Sequence, residues 1–293
     1  MNLNIDFYKD WIDCIKKILD SYGYEINPNI KSEDIAINYF NLKKRFVEAT
    51  PRKIFTSKEF SCPDELKEGL ELVKKKIKNG DNISPHLSKK ITNLDFNDQI
   101  LNDWGIHHLH LGTKIYKKGF VNRTNKILFV KFDKESAYLI DVKTHNSWEE
   151  QEIVRIIHKN WPELIKEYQV QGMNMKKGFT DDEIKKFREN GITAAVKMDD
   201  GTTYILLGGG YSTSKTSIEV VRIHDYVAKH IHKLEEHVKN NIKNFINAAS
   251  AKGKNIGSNL DIHLEIKDGK NYIVERNSKI MFIDKEFRDW TLI

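Results

Sequence analysis

Residues 104–112 of the 293-residue chain read Trp-Gly-Ile-His-His-Leu-His-Leu-Gly. The pattern changes here from helical to strand-like spacing, with polar and apolar residues in near alternation. Successive side chains of a β-strand point to opposite faces, so His108 and His110 share one side while Leu109 and Leu111 share the other. This stretch predicts a strand that carries histidines on one face.

Two further β-prone segments follow, residues 127–132 and 137–143, and the four residues between them predict a hairpin. If the three strands are neighbours, one face of the sheet collects polar side chains and the other collects apolar ones. The predicted polar face holds His108, His110, Lys131, Asp141 and His145. The predicted apolar face, to be covered by helices, holds Leu109, Leu111, Leu128, Val130, Ile140 and Val142.

The segments on either side of this sheet are mostly helical in pattern. Helices are predicted over residues 7–22, 32–49, 63–79 and 96–102, and later over 148–161, 181–190 and 216–249. A hairpin around residues 199–201 and a closing hairpin over 261–276 are also predicted. The fold class is therefore α+β: N-terminal helices, a small antiparallel sheet, and a C-terminal α+β region with a long helix and a terminal hairpin.

The chain divides, on this interpretation, into two parts. Residues 1–170 contain the helices and the histidine-bearing sheet, and are predicted to hold the chemistry. Residues 171–293 form a C-terminal region to which the sequence assigns no role.

Composition limits the classes of function. Forty-eight Lys and Arg residues against forty-two Asp and Glu give a net charge of +6, which is compatible with an anionic partner such as RNA. No run of about 18 apolar residues predicts a membrane span, and the N-terminus lacks the pattern of a signal peptide. The two cysteines, Cys14 and Cys62, are too few for a disulfide framework. These features predict a cytoplasmic protein without a membrane partner.

Acid–base chemistry on a phosphodiester is the first interpretation of the polar face. One histidine removes a proton from a 2′-hydroxyl, another protonates the leaving oxygen, and cations stabilise the charged phosphorus centre, with no metal or other cofactor. His108 and His110 would be acid and base with His145 as their partner and Lys131 beside them, while Arg123 and Lys143 would hold phosphate. Replacing His108 or His110 by Ala is then expected to abolish activity without affecting the fold.

Two other interpretations remain open for the same residues. A histidine pair on one strand with a third histidine nearby is a common geometry for zinc or iron, which His108, His110, His145 and Asp141 would ligate. Alternatively the histidines have no catalytic role and line the surface of an RNA- or protein-binding module.

The order of these segments resembles the core of the RelE/ParE-like toxins. The resemblance rests on helices followed by residues 104–112, then Ile127-Leu128-Phe129-Val130-Lys131-Phe132, then residues 137–145, which end in His145. It covers residues 60–146 and is one of element order rather than of a sequence motif. It implies an RNA-cleaving toxin or phage-defence protein, with an antitoxin or a phage protein as a further partner.

A second family pattern competes with the first. Leu139-Ile140-Asp141-Val142-Lys143 is similar to the (D/E)xK strand of the PD-(D/E)xK nucleases, in which carboxylates hold Mg²⁺ and the lysine assists water. That family requires another acidic residue on the preceding strand, and Asp133 falls instead in the hairpin turn. This alternative predicts a metal-dependent nuclease.

Two other motifs are given non-catalytic interpretations. Residues 208–216 place glycines between a strand and a helix, as in a phosphate-binding loop, but Ser214 stands where the Walker A pattern requires glycine, so a tight turn is expected. The long helix carries His224, His230, His232 and His237, which are interpreted as a solvated basic face.

Overall fold

The computed structural model describes residues 2–116, 119–145, 147, 150–172, 175–212, 215–282, 287 and 290–293. Its fold class is α+β, as predicted. The helices are α1 Phe7–Ser21, α2 Ser32–Arg45, α3 Lys67–Asn79, α4 Gln99–Trp104, α5 Glu152–Asn160, α6 Asp181–Glu189 and α7 Ile218–Ala251. The strands are β1 Asn2–Ile5, β2 Lys53–Thr56, β3 His107–His110, β4 Lys126–Phe132, β5 Ser136–Thr144, β6 Val196–Lys197, β7 Thr203–Tyr204, β8 Asn259–Lys267, β9 Lys270–Glu275 and β10 Ile280–Phe282.

The chain forms two compact units. One unit combines Met1–Phe40 with Arg222–Ile293, and the other is the continuous segment Asn41–Val221. These boundaries fall within α2 and α7 rather than near residue 170, where the sequence suggested a division. The unit of residues 41–221 contains all the candidate site residues.

The sheet of the 41–221 unit has the strand order β2-β5-β4-β3. Strands β3, β4 and β5 are antiparallel neighbours, as the sequence indicates, and His108 and His110 lie opposite Phe129 and Ile127 of β4. Strand β2, which the sequence did not predict, adds to the far edge in parallel with β5. The histidine-bearing β3 therefore lies at one edge of the sheet and β2 at the other.

Both faces of this sheet are apolar and covered by helices, so the prediction of one polar and one apolar face is wrong. On one side, Leu109 and Val130 pack with Val73 and Ile77 of α3. On the other side, the face that bears His108 and His110, the strand residues Ile106, Ile127 and Phe129 pack with α5 through Ile153, Val154 and Ile157. The physical reason is that this is a central layer between two helical layers, which buries both faces of its strands.

A β-bulge explains why Ile140 lies on the face of the sheet opposite to the predicted one. Phe129 pairs with Asp141, whereas the next residue, Val130, pairs with Leu139, so Ile140 has no partner across the ladder. The extra residue reverses the alternation of β5 at this point. Ile140 consequently packs on the same side as Phe129 instead of with Val130.

The other unit, residues 1–40 and 222–293, has its own sheet with the order β1-β8-β9-β10. Strand β1 runs parallel to β8, and the predicted closing hairpin is formed by β8 and β9. Helix α1 begins at Asp6, whose side chain accepts a hydrogen bond from the Lys9 amide, and it buries an apolar stripe at i+4 spacing. That stripe consists of Phe7, Trp11, Ile15 and Leu19.

The histidines of α7 differ in exposure: His232 is exposed, and His230 and His237 are partly exposed. His224 is buried, with its ring 3.1 Å from the Tyr8 hydroxyl. His232 stacks on Tyr8, His230 meets the Trp290 ring edge-on, and His237 contacts Phe287. The expectation of a solvated face is therefore wrong for buried His224, whereas exposed His232 agrees with it.

The glycine-rich segment is a turn that packs on α4. The amides of Gly208 and Gly210 donate hydrogen bonds to the carbonyl oxygens of Asp103 and Asn102, at 2.9 Å each, and the Gly209 amide bonds to Leu206. Amides engaged in this way are not directed at a phosphate, in agreement with the expected tight turn. Thr213 and Ser214 of the same motif lie outside the described residues.

No helix in the described portions of the chain combines the length and the apolar character needed to cross a bilayer.

We expect Gly69→Ala to destabilise the protein by about 1–3 kcal/mol, the usual cost of overpacking. A Cβ at Gly69 of α3 would lie 1.8 Å from the carbonyl oxygen of Leu111, immediately after β3. This clash outweighs the gain of about 1 kcal/mol in helix propensity that alanine would otherwise bring. Thermal or urea unfolding measures the effect.

Gly257→Ala is the matched control, because a Cβ there meets no atom within 4 Å. Its stability should stay within about 0.5 kcal/mol of wild type. A Gly69→Ala variant as stable as this control would show that α3 does not approach β3 so closely.

Candidate functional site

The histidine cluster is built around His110, the last residue of β3. The backbone amide of Thr124 donates a hydrogen bond of 3.2 Å to Nδ1 of His110. Since an amide N–H can only donate, Nδ1 of His110 is the acceptor and the proton of its neutral ring is on Nε2. The loop after β3 thus determines the tautomer of a buried histidine.

His145, just beyond β5, is the direct partner of this ring. The Nε2 atoms of His110 and His145 are 3.3 Å apart. With its proton on Nε2, His110 donates, and Nε2 of His145 accepts. The neutral His145 ring then carries its own proton on Nδ1, and the two imidazoles form a neutral, ordered pair.

His108 is the third ring of the cluster. It lies on the same side of β3 as His110, with its ring centroid 6.1 Å from that of His145. Its Nδ1 is 3.7 Å from Oδ2 of Asp98, a buried carboxylate that also caps α4. The structure therefore brings His108, His110 and His145 together, as the alternation of the sequence indicates.

The burial of this cluster differs from the expected wet, polar face. His108 and His110 are only 3% and 1% exposed, while His145 is partly exposed. The two strand histidines are therefore buried, and His145 is the more exposed ring of the cluster. Only His145 of the three is placed to meet a ligand from solvent.

Burial and neighbouring positive charge disfavour protonation of these rings. Burial first, then the charges of Arg123, His145 and His108, lower the pKa of His110 to about 3. The pKa of His145 is lowered by burial and by the charges of His108, Arg123 and Lys90. With so low a pKa the His110 ring carries no extra proton near pH 7, which argues against its expected role as a general acid.

Arg123 and Lys90 are exposed cations beside the rings. Arg123 is fixed by a hydrogen bond of 2.8 Å from Nη1 to the carbonyl oxygen of Leu87. Lys90 belongs to the short 3₁₀ helix Lys89–Thr92. Both act on His145, so the surface above the histidine pair is positively charged.

Lys131 and Lys143 lie elsewhere. His110 pairs with Ile127 near the start of β4, whereas Lys131 lies near the end of that strand. Nζ of Lys131 is 3.5 Å from the carbonyl oxygens of Trp104 and Gly105. Burial and the charge of Lys44 lower its pKa to about 8. Lys143 is 3.5 Å from Glu150 and 3.9 Å from Asp141, so its charge is already balanced by carboxylates.

The carboxylates named in the metal-dependent alternatives are engaged with backbone amides. Asp141 accepts hydrogen bonds from the amides of Ser61 and Val142, and Asp133 accepts from two amides of its own turn. Among the described residues, no group of three or more His, Cys, Asp or Glu side chains is arranged to hold a metal ion. These carboxylates serve local backbone structure.

Sequence reasoning missed several residues that shape the site. Buried His86 has Nδ1 2.8 Å from the carbonyl oxygen of His110, to which it must donate. Thr124, Asp98 and Lys90 contribute the contacts described above. Their only signal in the sequence was polar character near turns, which does not identify a partner.

Comparison of the chain with protein-family models, with curated proteins and with solved structures found no match.

We expect the protein to lose stability as the pH falls below about 6.5. The pKa of His110 is about 3 and that of His107 about 4, each lowered mainly by burial, against 6.5 for an unfolded chain. Below pH 6.5 the unfolded state therefore binds more protons than the folded state, and protons favour unfolding. Each ring should account for roughly 2 kcal/mol between pH 6.5 and 5.

Urea unfolding at several pH values measures how the free energy of unfolding depends on pH. His110→Gln, which keeps polar groups but cannot be protonated, should be less dependent on pH over this interval. Because His110 is a core side chain, His110→Ala should lower the melting temperature, contrary to the expectation from sequence. A slope unchanged by His110→Gln would contradict the assignment of a neutral buried ring.

Proposed function

We propose that the protein binds RNA in the cytoplasm, through phosphate groups held by Arg123, Lys90 and His145. The observation that carries this proposal is that two exposed cations act on one partly exposed imidazole. Guanidinium and ammonium groups are the usual ligands of backbone phosphates, and Arg can bind them through two N–H groups. A neutral histidine N–H adds a donor without adding charge.

A bound phosphate would also relieve the electrostatic cost of the site. The groups that lower the pKa of His145 besides burial are all basic: His108, Arg123 and Lys90. A phosphodiester placed among them offsets this repulsion, and it should therefore raise the pKa of His145 on binding. Binding and protonation are expected to be linked in this way.

RNA cleavage without a metal is the second candidate, and the specific observation that favours it is the contact between His110 and His145. In this candidate His145, not His108 or His110, exchanges the proton. It takes the proton of the 2′-hydroxyl as that oxygen attacks phosphorus, giving up its contact with His110, and returns it to the departing 5′-oxygen. His110 acts as a positioning residue, and the products are a 2′,3′-cyclic phosphate and a 5′-hydroxyl.

We expect Arg123→Met to weaken RNA binding and to reduce the slope of log K against log salt by about 1, since each phosphate contact releases about one counterion. Lys90→Met should act similarly. Fluorescence anisotropy with a labelled single-stranded RNA, over a series of salt concentrations, measures both quantities. The matched control is Lys53→Met on β2, an exposed cation at the other edge of the same sheet.

Incubation of the same RNA with the protein, with and without EDTA, separates the candidates. Retention of intact RNA supports binding alone, and cleavage that survives EDTA and is lost in His145→Ala supports the second candidate. Cleavage abolished by EDTA would indicate a metal and contradict both. Failure of the wild-type protein to bind RNA, or binding unaffected by Arg123→Met and Lys90→Met, would overturn the proposed site.

A further inference from the structure

The loop between β3 and β4 forms a second, smaller hairpin beside the histidine cluster. Ile115 and Val121 form an antiparallel bridge, and the Tyr116 amide donates to the Phe120 carbonyl oxygen at 3.0 Å. We refer to residues 114–116 and 119–123 as the basic hairpin, because they include Lys114 and Arg123. The sequence adds Lys117 and Lys118, which lie outside the described residues.

The basic hairpin exposes two large apolar side chains on a positively charged segment. Ile115 and Tyr116 are 62% and 60% exposed, whereas Phe120 and Val121 on the returning arm are buried. The fold therefore anchors one arm in the core and presents the other to solvent. Core packing does not account for an exposed tyrosine here.

The hairpin is held by hydrogen bonds between its own arms and by one to the segment before β3, and the residue that follows it contacts His110. The Asn122 amide bonds to the Lys114 carbonyl oxygen, and Oδ1 of Asn122 accepts from the Lys114 amide at 3.1 Å. Val121 donates to the Pro85 carbonyl oxygen, and Thr124, the next residue after the hairpin, donates to His110. Tyr116 therefore lies on a hairpin whose position is fixed by hydrogen bonds.

From this arrangement we infer that Tyr116 is a base-stacking platform, which makes single-stranded RNA the preferred substrate class of the phosphate site. Tyr116 lies opposite Phe120, three residues before Arg123 on the returning arm, so the ring and the guanidinium belong to the same short hairpin. Aromatic rings interleaved with cations bind single strands because unpaired bases offer a face for stacking, which paired bases do not. The inference rests on the proposed RNA-binding function.

Trp104, the aromatic residue nearest the histidines in sequence, cannot take this role. It is 2% exposed, and the guanidinium of Arg188 lies over its ring at 3.9 Å. A base can stack only on an exposed ring, and Tyr116, unlike Trp104, has one.

We expect Tyr116→Ala to weaken binding of a single-stranded RNA about tenfold or more, the range found for loss of one stacked base. The salt slope should stay at the wild-type value because no phosphate contact is removed. Tyr116→Phe, which keeps the ring, should bind as wild type does. Duplex RNA of the same sequence should bind wild type and Tyr116→Ala equally.

Tyr22→Ala is the matched control, since Tyr22 is 75% exposed at the end of α1, outside the 41–221 unit. Anisotropy with both RNAs, flotation with anionic phospholipid vesicles, and melting temperatures complete the test. If Tyr116→Ala binds single strands as wild type does while Arg123→Met does not, the inference fails and the proposed function stands. Equal losses on duplex and single strand, or a loss confined to vesicles, would also overturn it. A wild-type protein that binds no RNA would remove the proposed function itself.

Discussion

The hydrogen bond from the Thr124 amide to Nδ1 of His110 is the interaction on which the candidate site depends. It joins the loop after β3 to a buried ring and leaves that ring one proton position, on Nε2. The tautomer of His145 follows from it, because the two Nε2 atoms face each other. A single backbone amide thus determines which nitrogen of the partly exposed imidazole carries a proton.

The hydrogen bond from Thr124 fixes the His110 tautomer because the surrounding helical layers exclude water, which could otherwise replace the amide as a partner. Helices cover both faces of the sheet, which shields the polar side chains of β3 from water. His86 meets the carbonyl oxygen of His110, and Asp98 lies near His108. The same burial that orders the rings lowers their pKa, which shifts the chemistry available to them from proton transfer toward neutral hydrogen bonding.

Charge at the surface complements the neutral interior. Arg123 and Lys90 are exposed, and their positive charges act on the partly exposed His145 ring. The basic hairpin continues this cationic surface and adds an exposed aromatic ring. RNA, whose backbone is anionic and whose bases have faces to stack, matches both features.

Local patterns in the chain were enough to predict the strands β3, β4 and β5, their order, and the shared side of His108 and His110, because the two-residue repeat of a strand is a local property. They also indicated the α+β class and most helices. Three features became visible only in the folded chain: this side is buried, a bulge moves Ile140 to the other face of the sheet, and Lys131 lies away from the cluster of His108, His110 and His145. The reason is that burial, register shifts and the partners of a ring arise from segments distant in sequence, such as α3, α5 and the loop at Thr124, whose positions no local pattern specifies.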